Sequence, residues 1–194
     1  MINIDILLVI IYSYCLGSIP FGLIITKIFL KKDIRKLGSG NIGTTNVLRT
    51  GKKSLAISTL LLDTFKGYAS VIISLTYFND LVFLSALICF IGHIFPIWLS
   101  FKGGKGVAVY FGIIMALFFP LGIVFSISWI LLAFIFKYSS LSSIIGSLAV
   151  LFYSIILNNN SLSFFLFIIF VIILFTHREN IRRLKNLEET KIKL

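Results

Sequence analysis

The chain has 194 residues, 58% of them hydrophobic and 13% charged, and its mean hydropathy is +1.05. A soluble domain of this size cannot bury that much apolar surface, so the composition predicts an all-α protein that crosses a bilayer repeatedly. The net charge of +11 does not indicate a nucleic-acid partner, because the positions of the cations along the chain explain it better.

The first apolar run, Ile6 to Ile25, is long enough to cross a hydrocarbon core of about 30 Å. It is interrupted by GSIPFG, Gly17 to Gly22, which predicts either a simple kink or a backbone stretch that lines a polar cavity. The polar stretch from Lys27 to Lys53 is rich in cations, whereas no basic residue precedes the first span. By the positive-inside rule, the N-terminus faces outward and this stretch faces the cytoplasm.

The second span, Ser54 to Phe78, contains Asp63 and Lys66, which lie three positions apart on one helix face. Charges at membrane depth are costly, so the two residues form either a structural ion pair or part of the lining of an active cleft. The third span, Leu81 to Leu99, has His93 near its end. A lone histidine in such a place is more often a packing residue than a catalyst.

The run from Val107 to Phe136 has about 30 residues, which is too many for one crossing and few for two. Lys102 and Lys105 before it and Lys137 after it should all face the cytoplasm. We therefore predict a hairpin of two short helices that turns at Pro120. Its first helix begins below the membrane surface and draws the preceding loop into the protein.

Leu141 to Leu157 and Leu162 to Thr176 form the last two spans, so we predict seven transmembrane helices and a cytoplasmic C-terminus. All Lys and Arg residues except Lys66 then lie in segments assigned to the cytoplasm. The alternative is five crossings, with one hairpin that does not span fully. We expect a single integral-membrane domain over residues 1–194.

A short glycine-rich loop, SFKGGKGVAV from Ser100 to Val109, separates two long apolar runs. Glycines let backbone N–H groups turn toward one point, and lysines beside them complete a phosphate cradle at the start of a helix. The spacing is not that of a nucleotide-hydrolase P-loop. The plain alternative is a cytoplasmic loop whose lysines only set the orientation. The residues concerned are Lys102, Gly103, Gly104, Lys105 and Gly106.

Three further polar segments are predicted on the same face of the membrane. LGSGNIGTTNVLR, Leu37 to Arg49, ends in an arginine that can bind phosphate with two prongs. A serine run from Ser139 to Ser143 is either a helix cap or a set of site hydroxyls. His177 and Asn180 fall on one face of the tail if the tail is helical.

Together these segments offer two sets of anion donors, one histidine and one carboxamide. The chain has only 2 histidines and 7 acidic residues, which are scattered, so we expect no metal site. The pattern favours transfer of a group between phosphorylated substrates, one of them a lipid or acyl chain because apolar spans adjoin the site. The alternative is a transporter or flippase for a phosphorylated solute, although alternating access needs a path through both faces.

Five blocks, in this order, carry a resemblance: GSIPFG, GSGNIGTTNVLR, DTFKG, GHIFPIWLSFKGGKGVAV and HRENIRRL. They are similar to the bacterial acyl-phosphate:glycerol-3-phosphate acyltransferase family, PlsY, from about Gly17 to the tail. The resemblance implies a seven-helix enzyme of the bacterial inner membrane with its site on the cytoplasmic side. It also implies transfer of a fatty acyl group from acyl phosphate to the 1-hydroxyl of glycerol 3-phosphate. The product would be lysophosphatidic acid for phospholipid synthesis, made without acyl-CoA, metal or cofactor.

The resemblance also implies roles for individual residues. Ser39 matches an important serine of the first motif, which we take as catalytic, and Asn41 and Arg49 are expected to bind substrate. Lys102 to Gly106 match the glycerol-phosphate loop of the family.

On the C-terminal side, Ser142 and Ser143 match the substrate-binding hydroxyls before the sixth span. His177 and Asn180 match the pair beside the reacting carbonyl, and are expected to position or polarise it. The attacking hydroxyl is expected to come from glycerol 3-phosphate itself, with either His177 or a substrate phosphate oxygen as the base.

The tail departs from the family pattern. Glu189 is the best match for a tail glutamate, but Glu188 is adjacent, so the register is open. Leu187 stands where the family usually has a glycine, which puts the tail turn in question. Thr44 replaces an alanine in the first motif, which is a small change.

Overall fold

The computed structural model describes residues 4–192, and each regular element in that range is an α-helix or a short 3₁₀ turn. The residues before Ile4, on which part of the predicted charge asymmetry depends, lie outside the described residues. The α-helices are α1 (Ile4–Ser18), α2 (Phe21–Leu30), α3 (Thr44–Leu48), α4 (Lys53–Tyr77), α5 (Val82–Ile94), α6 (Val107–Leu117), α7 (Phe119–Phe136), α8 (Ser139–Ile156), α9 (Asn160–Thr176) and α10 (Arg178–Lys185).

Several helical stretches are long and apolar enough to cross a membrane. They are Ile4–Leu30, Lys53–Tyr77, Asn79–Leu99, Phe119–Phe136 and Ser139–Ile156. Helices α9 and α10, which bend by 60° at their junction, add another if they count as one span. Helix α6 is apolar but has only 11 residues, or about 16 Å of helix. The chain is thus a multi-pass membrane protein, while the count of seven crossings stays a prediction.

Two helices lie between Val107 and Phe136, as the sequence predicts. They separate at Phe118, whose backbone is extended, rather than at Pro120. Pro120 instead occupies the first turn of α7, where its missing N–H costs no helical hydrogen bond.

The chain divides into two compact units, one ending at Leu117 and the other beginning at Phe118. In the first unit, α1 packs against α5 and α4 packs against α6. The contact between α4 and α6 is close, because a Cβ at Gly67 would overlap the carbonyl of Val109 and a Cβ at Gly112 would overlap that of Thr64. Small residues of this kind let two apolar helices approach to backbone contact.

A buried cluster of hydroxyl groups joins three helices of the first unit. The Ser85 Oγ of α5 lies 2.9 Å from the hydroxyls of Tyr12, Ser13 and Ser70, which belong to α1 and α4. Water is scarce at membrane depth, so such side chains must satisfy one another. The cluster therefore fixes how α1, α4 and α5 pack.

The second unit consists of α7 to α10. Helix α7 packs against α8, and α8 packs against α9. The Trp129 indole of α7 donates a hydrogen bond of 3.1 Å to the Ser143 hydroxyl of α8. Helix α10 contacts both α8 and α9, so the polar tail is held to the start of α8 and the end of α9.

Candidate active site

The first polar segment, from Asp33 to Arg49, is organised around the side chain of Asn46. The Asn46 Oδ1 accepts the N–H of Ser39 at 3.0 Å. Its Nδ2 donates to the carbonyls of Ile34, Leu37 and Asn41 at 2.8–3.1 Å. One buried carboxamide of α3 thus holds the stretch that precedes this short helix. The sequence reasoning missed Asn46, although a buried amide in such a loop must find partners of this kind.

The predicted residues of this segment differ in what their side chains do. Asn41 accepts the N–H of Gly43 at 2.8 Å through its Oδ1, which closes a turn of the loop itself. Ser39 is exposed, and its backbone is held by Asn46. Arg49 is exposed at the end of α3. In the part of the chain that the structure describes, no carboxylate forms an ion pair with Arg49.

Arg49 lines a surface cleft of about 550 Å³ in the first unit. Two further cations, Lys32 and Lys52, line the same cleft, and Phe29 and Leu30 at the end of α2 give it an apolar side. Three cations that share a small volume raise the local positive potential, which favours an anion. The cleft therefore suits a phosphorylated group attached to an apolar chain.

The neighbouring Arg35 has a different role from the cations of this cleft. It donates hydrogen bonds to both carboxylate oxygens of Asp33 at 2.7–3.2 Å. These hydrogen bonds hold the pKa of Asp33 well below its usual value. Because its guanidinium is already paired with a carboxylate, Arg35 is a weaker candidate for a substrate ligand than Arg49.

The glycine-rich loop lies against the end of α5 rather than forming an open cradle. The N–H groups of Gly103 and Gly104 donate to the carbonyls of Ile94 and His93, each at 3.0 Å. The expectation that these two amides converge on a phosphate is wrong, because both are already used to close the loop. Glycine is required here for close approach: a Cβ at Gly104 would overlap the His93 imidazole.

The rest of the loop agrees with the expectation that it is drawn into the protein. Gly104 and Gly106 are buried, Lys105 is half-buried and Lys102 is exposed. Gly106 has φ of +86° immediately before α6, a backbone conformation that glycine adopts without strain. The ammonium of Lys102 forms no ion pair with any carboxylate among residues 4–192.

Asp63 and Lys66 form a buried polar cluster with His93. The Lys66 ammonium lies 2.9 Å from Asp63 Oδ1, 2.9 Å from His93 Nδ1 and 2.7 Å from the carbonyl of Ile19. The side chains of Asp63 and Lys66 are each 2% exposed. The Ile19 carbonyl lies in the break between α1 and α2, so the GSIPFG interruption contributes a backbone group to a polar cluster and is more than a kink.

In the second unit, His177 is held in one orientation at the junction of α9 and α10. Its Nδ1 lies 2.9 Å from the carbonyl of Ile173, to which it donates, and the side chain is buried. In the neutral imidazole, Nε2 then carries the lone pair. His177 can therefore accept a proton through Nε2.

Asn180 is positioned by the tail carboxylate of Glu189. The Glu189 Oε1 accepts Asn180 Nδ2 at 2.7 Å and the Ser140 hydroxyl at 2.9 Å, and its Oε2 accepts Arg183 Nε at 2.8 Å. The structure thus selects Glu189 over Glu188 as the structured tail glutamate. Burial alone would raise the pKa of Glu189, but the hydrogen bonds from Arg183, Asn180 and Ser140 outweigh it and lower the pKa.

The tail turn survives the replacement of glycine by Leu187. The N–H of Leu187 donates to the Leu184 carbonyl at 3.2 Å and that of Glu188 donates to the Arg183 carbonyl at 2.8 Å. This is the Schellman arrangement that ends many helices, with a left-handed residue after the cap. Leu187 takes that conformation, with φ of +61°.

The serine run forms the first turns of α8 and does not cap it. The residue at the N-cap is Tyr138, whose side chain makes no capping hydrogen bond. The hydroxyls of Ser142 and Ser143 donate back to the carbonyls of Tyr138 and Ser139 at 2.9 and 2.8 Å. The cap interpretation is therefore wrong for this run, and both hydroxyls keep lone pairs that can accept.

The structure brings together the predicted residues within each unit. In the first, Ser39, Asn41 and Arg49 share one loop, and the glycine-rich loop lies on the polar cluster of α4 and α5. In the second, Asn180 and Glu189 share one hydrogen-bond network, which also includes Ser140 at the start of α8. The prediction that all these segments line one pocket stays a prediction.

The apolar helices, with cationic, hydroxyl and amide groups on the segments between them, define a multi-pass integral membrane protein. A family profile described as glycerol-3-phosphate acyltransferase matches residues 7–187. A glycerol-3-phosphate acyltransferase of Pelagibacter ubique is 57% identical over 97% of this chain and 98% of its own length. One of Rhodopseudomonas palustris is 48% identical over 93% of this chain and 92% of its own.

Solved structures show the same similarity. The crystal structure of PlsY, an integral membrane glycerol 3-phosphate acyltransferase, in its glycerol 3-phosphate form aligns with a TM-score of 0.93 at 31% identity. The alignment covers 97% of this chain and 96% of that one. The lysophosphatidic acid form aligns with a TM-score of 0.90. The chain belongs to the PlsY family of glycerol-3-phosphate acyltransferases, the membrane acyltransferases of phospholipid biosynthesis.

Proposed function

We propose that this acyltransferase moves a fatty acyl group from acyl phosphate to the sn-1 hydroxyl of glycerol 3-phosphate, giving lysophosphatidic acid and inorganic phosphate. PlsY has been solved in a glycerol 3-phosphate form and in a lysophosphatidic acid form, which supports this substrate and product. The observation that carries the proposal is the fixed orientation of the buried His177 and Asn180.

We expect the phosphate groups to be bound by cations. Arg49, with Lys102 and Lys105 of the glycine-rich loop, supplies the charge, since charge-assisted hydrogen bonds to phosphate are the strong ones. Ser39 and Asn41 contribute polar contacts from the same loop as Arg49. The glycines from Gly103 to Gly106 contribute chiefly by keeping side chains out of the way.

We expect His177 and Asn180 to act on the reacting groups. The 1-hydroxyl of glycerol 3-phosphate attacks the carbonyl carbon of acyl phosphate, a C–O bond forms, and the bond to the phosphate oxygen breaks. Phosphate leaves with the electron pair, while His177 Nε2 takes the hydroxyl proton. Asn180 Nδ2 polarises the carbonyl oxygen as negative charge develops there. Ser142 and Ser143 orient the glycerol hydroxyls.

No protein nucleophile is required for this scheme. Acyl phosphate is already activated and has a good leaving group, so positioning and charge stabilisation supply the rate. The proposal needs neither acyl-CoA nor a metal. Among residues 4–192, no group of three or more His, Cys, Asp or Glu side chains is arranged to hold a metal ion.

We further propose that the chain crosses the bacterial inner membrane seven times, with its N-terminus outside and its C-terminus and site in the cytoplasm. The distribution of Lys and Arg supports this orientation. Reporter fusions test it: a periplasmic reporter should be active after Asn159 and inactive at the C-terminus. The opposite pattern would reverse the orientation.

The assay of the proposed reaction uses protein purified in detergent, with palmitoyl phosphate and glycerol 3-phosphate. Lysophosphatidic acid should form in the presence of a metal chelator and without CoA, detected by mass spectrometry. His177→Ala and Asn180→Ala should each lose at least about 100-fold in turnover. Arg182→Ala, at a 72% exposed side chain on the same helix, is the matched control and should stay near wild type.

Two results would contradict the proposal. Product that forms only from acyl-CoA would refute the acyl-phosphate donor, and a nearly active His177→Ala would remove His177 from the mechanism. A third measurement addresses the transport alternative. If no product forms while sealed vesicles containing the protein take up glycerol 3-phosphate, the transporter interpretation replaces the enzyme.

A further inference from the structure

The buried cluster of Asp63, Lys66 and His93 connects two irregular stretches of the first unit. On one side, the Lys66 ammonium donates to the carbonyl of Ile19, in the break between α1 and α2. On the other side, it donates to His93 Nδ1, which lies at the end of α5 beneath the glycine-rich loop. Asp63 supplies the counter-charge at 2.9 Å. The ammonium is therefore held by two hydrogen-bond acceptors, one in the break between α1 and α2 and one on α5, and by an ion pair within α4.

The glycine-rich loop rests directly on His93. The His93 carbonyl accepts the N–H of Gly104 and the Ile94 carbonyl accepts that of Gly103. The imidazole packs against Gly104 so closely that a Cβ there would overlap Nε2. Since Lys66 donates to Nδ1, the neutral ring carries its proton on Nε2, at the edge that faces the loop. Both the backbone and the side chain of His93 thus support the loop.

Stability alone is a poor reason for such a cluster. Removing two charges from water is costly, and well-packed apolar residues often stabilise a protein as much or more. Apolar residues cannot supply directional contacts, whereas the hydrogen bonds of this ammonium to Ile19 and His93 and its ion pair with Asp63 hold these neighbours in one arrangement.

We propose that Asp63, Lys66 and His93 are positioning residues, which hold the loop from Lys102 to Gly106 in the geometry that binds glycerol 3-phosphate. This inference rests on the proposed function for the identity of the ligand. It does not rest on the acyl donor. Asp63 holds the Lys66 ammonium in place, and Lys66 orients the His93 imidazole through its Nδ1. His93 in turn fixes the conformation of the loop.

A matched pair of variants at His93 distinguishes the effect of its hydrogen bond with Lys66 from the effect of its packing. His93→Gln keeps an acceptor for Lys66, whereas His93→Leu has a similar volume and no polar atom. We expect the KM for glycerol 3-phosphate to rise about tenfold or more in His93→Leu and only about two- to threefold in His93→Gln. The KM for acyl phosphate should stay within about twofold of wild type in both. Thermal unfolding should show that both proteins are folded.

Lys66→Met is the second variant, with Lys36→Met at an exposed position as its control. Lys66→Met should raise the KM for glycerol 3-phosphate about tenfold while Lys36→Met leaves it unchanged. A loss that appears only in kcat, or equally in both KM values, would mean that the cluster is merely structural and would overturn the inference.

Hydrogen exchange of the loop provides a readout that does not depend on activity. The amides of Gly103 and Gly104 are hydrogen-bonded, so peptides that cover Ser100 to Val107 should exchange faster in His93→Leu and Lys66→Met than in wild type. Unchanged exchange refutes the inference, whatever the assay shows. If wild type makes no product from acyl phosphate, the proposal about the acyl donor fails. Hydrogen exchange of the loop and calorimetric binding of glycerol 3-phosphate still test the positioning role of Asp63, Lys66 and His93.

Discussion

The Asn180 amide of α10 donates a hydrogen bond of 2.7 Å to the Glu189 carboxylate, which lies nine positions further along the chain in the tail. The same carboxylate accepts the Ser140 hydroxyl at the start of α8. The tail makes a second contact just before the start of α8, where the N–H of Ile192 donates to the Lys137 carbonyl at 2.7 Å. Glu189 therefore orients a residue of the proposed reaction centre by anchoring it to a second helix.

Replacing Glu189 by Gln should impair the reaction more than a surface change would. Glutamine keeps the size but loses the charge, and its NH2 group must replace either Oε2, which accepts Arg183, or Oε1, which accepts both Asn180 and Ser140. We expect kcat to fall about tenfold or more, because Asn180 then has a neutral, weaker acceptor or none at this site and is held less firmly toward the carbonyl. The exposed Glu188→Gln is the matched control. Equal activities of the two variants would show that Glu189 does not orient Asn180 for the reaction.

The same carboxylate predicts a pH dependence of stability. The pKa of Glu189 is lower in the folded protein than its ordinary value of 4.5, so the anion stabilises the fold. That contribution is fully present above pH 4.5 and is lost as the pH falls through the folded pKa. In thermal unfolding in detergent, the Tm of wild type should therefore exceed that of Glu189→Gln by a constant amount at neutral pH. This difference in Tm should become smaller in acid. A difference in Tm that grows in acid would contradict the predicted direction of the pH dependence.

Leu187→Gly should stabilise the tail. A non-glycine residue in the left-handed region costs on the order of 1 kcal/mol, and glycine relieves most of that cost although it gains freedom in the unfolded chain. Leu187 is 88% exposed, so its removal sacrifices little buried surface. The expected result is a higher Tm or slower exchange of the α10 amides.

Asn186→Gly is the control for this prediction. Asn186 precedes Leu187 and has φ of −86°, a conformation that any residue adopts. Glycine there should destabilise the tail slightly or leave it unchanged. A higher Tm for both variants would show that backbone flexibility explains the effect, and not the relief of strain in the left-handed conformation.

Asn46→Ala should disorganise the loop that carries Ser39 and Arg49. The substitution leaves three carbonyls and the Ser39 N–H without their partner, and each buried polar group so abandoned costs about 1–3 kcal/mol. Local unfolding relieves part of this cost by exposing the loop to water, so we expect weaker glycerol 3-phosphate binding, measured by calorimetry. Asn79→Ala, at an exposed turn of the same unit, should bind as wild type does. Equal binding by both variants would contradict the role assigned to Asn46.

Features that depend on local pattern were predictable, whereas features that depend on tertiary contacts were not. The long apolar runs predict the membrane helices because twenty or so apolar residues leave few alternatives. The amides of Gly103 and Gly104 could not be assigned, because their acceptors are carbonyls of α5 and not of their own loop. Asn46 was missed for a similar reason: its four partners surround it only after the loop has folded. Asp63 and Lys66 were recognised as a pair, but His93 gave no sign that it joins them.

The contact between Gly104 and His93 allows a test by steric complementation. Gly104→Ala places a Cβ inside the His93 imidazole, so the loop must move, and kcat/KM for glycerol 3-phosphate should fall about tenfold. In a His93→Ala background the space is open, and the same substitution should cost less than about threefold, a non-additivity typical of residues in contact. Gly146→Ala in α8, where the nearest atom would be a Phe125 ring carbon at 3.2 Å, is the control outside the loop. If Gly104→Ala is equally harmful in both backgrounds, the imidazole is not what excludes the side chain.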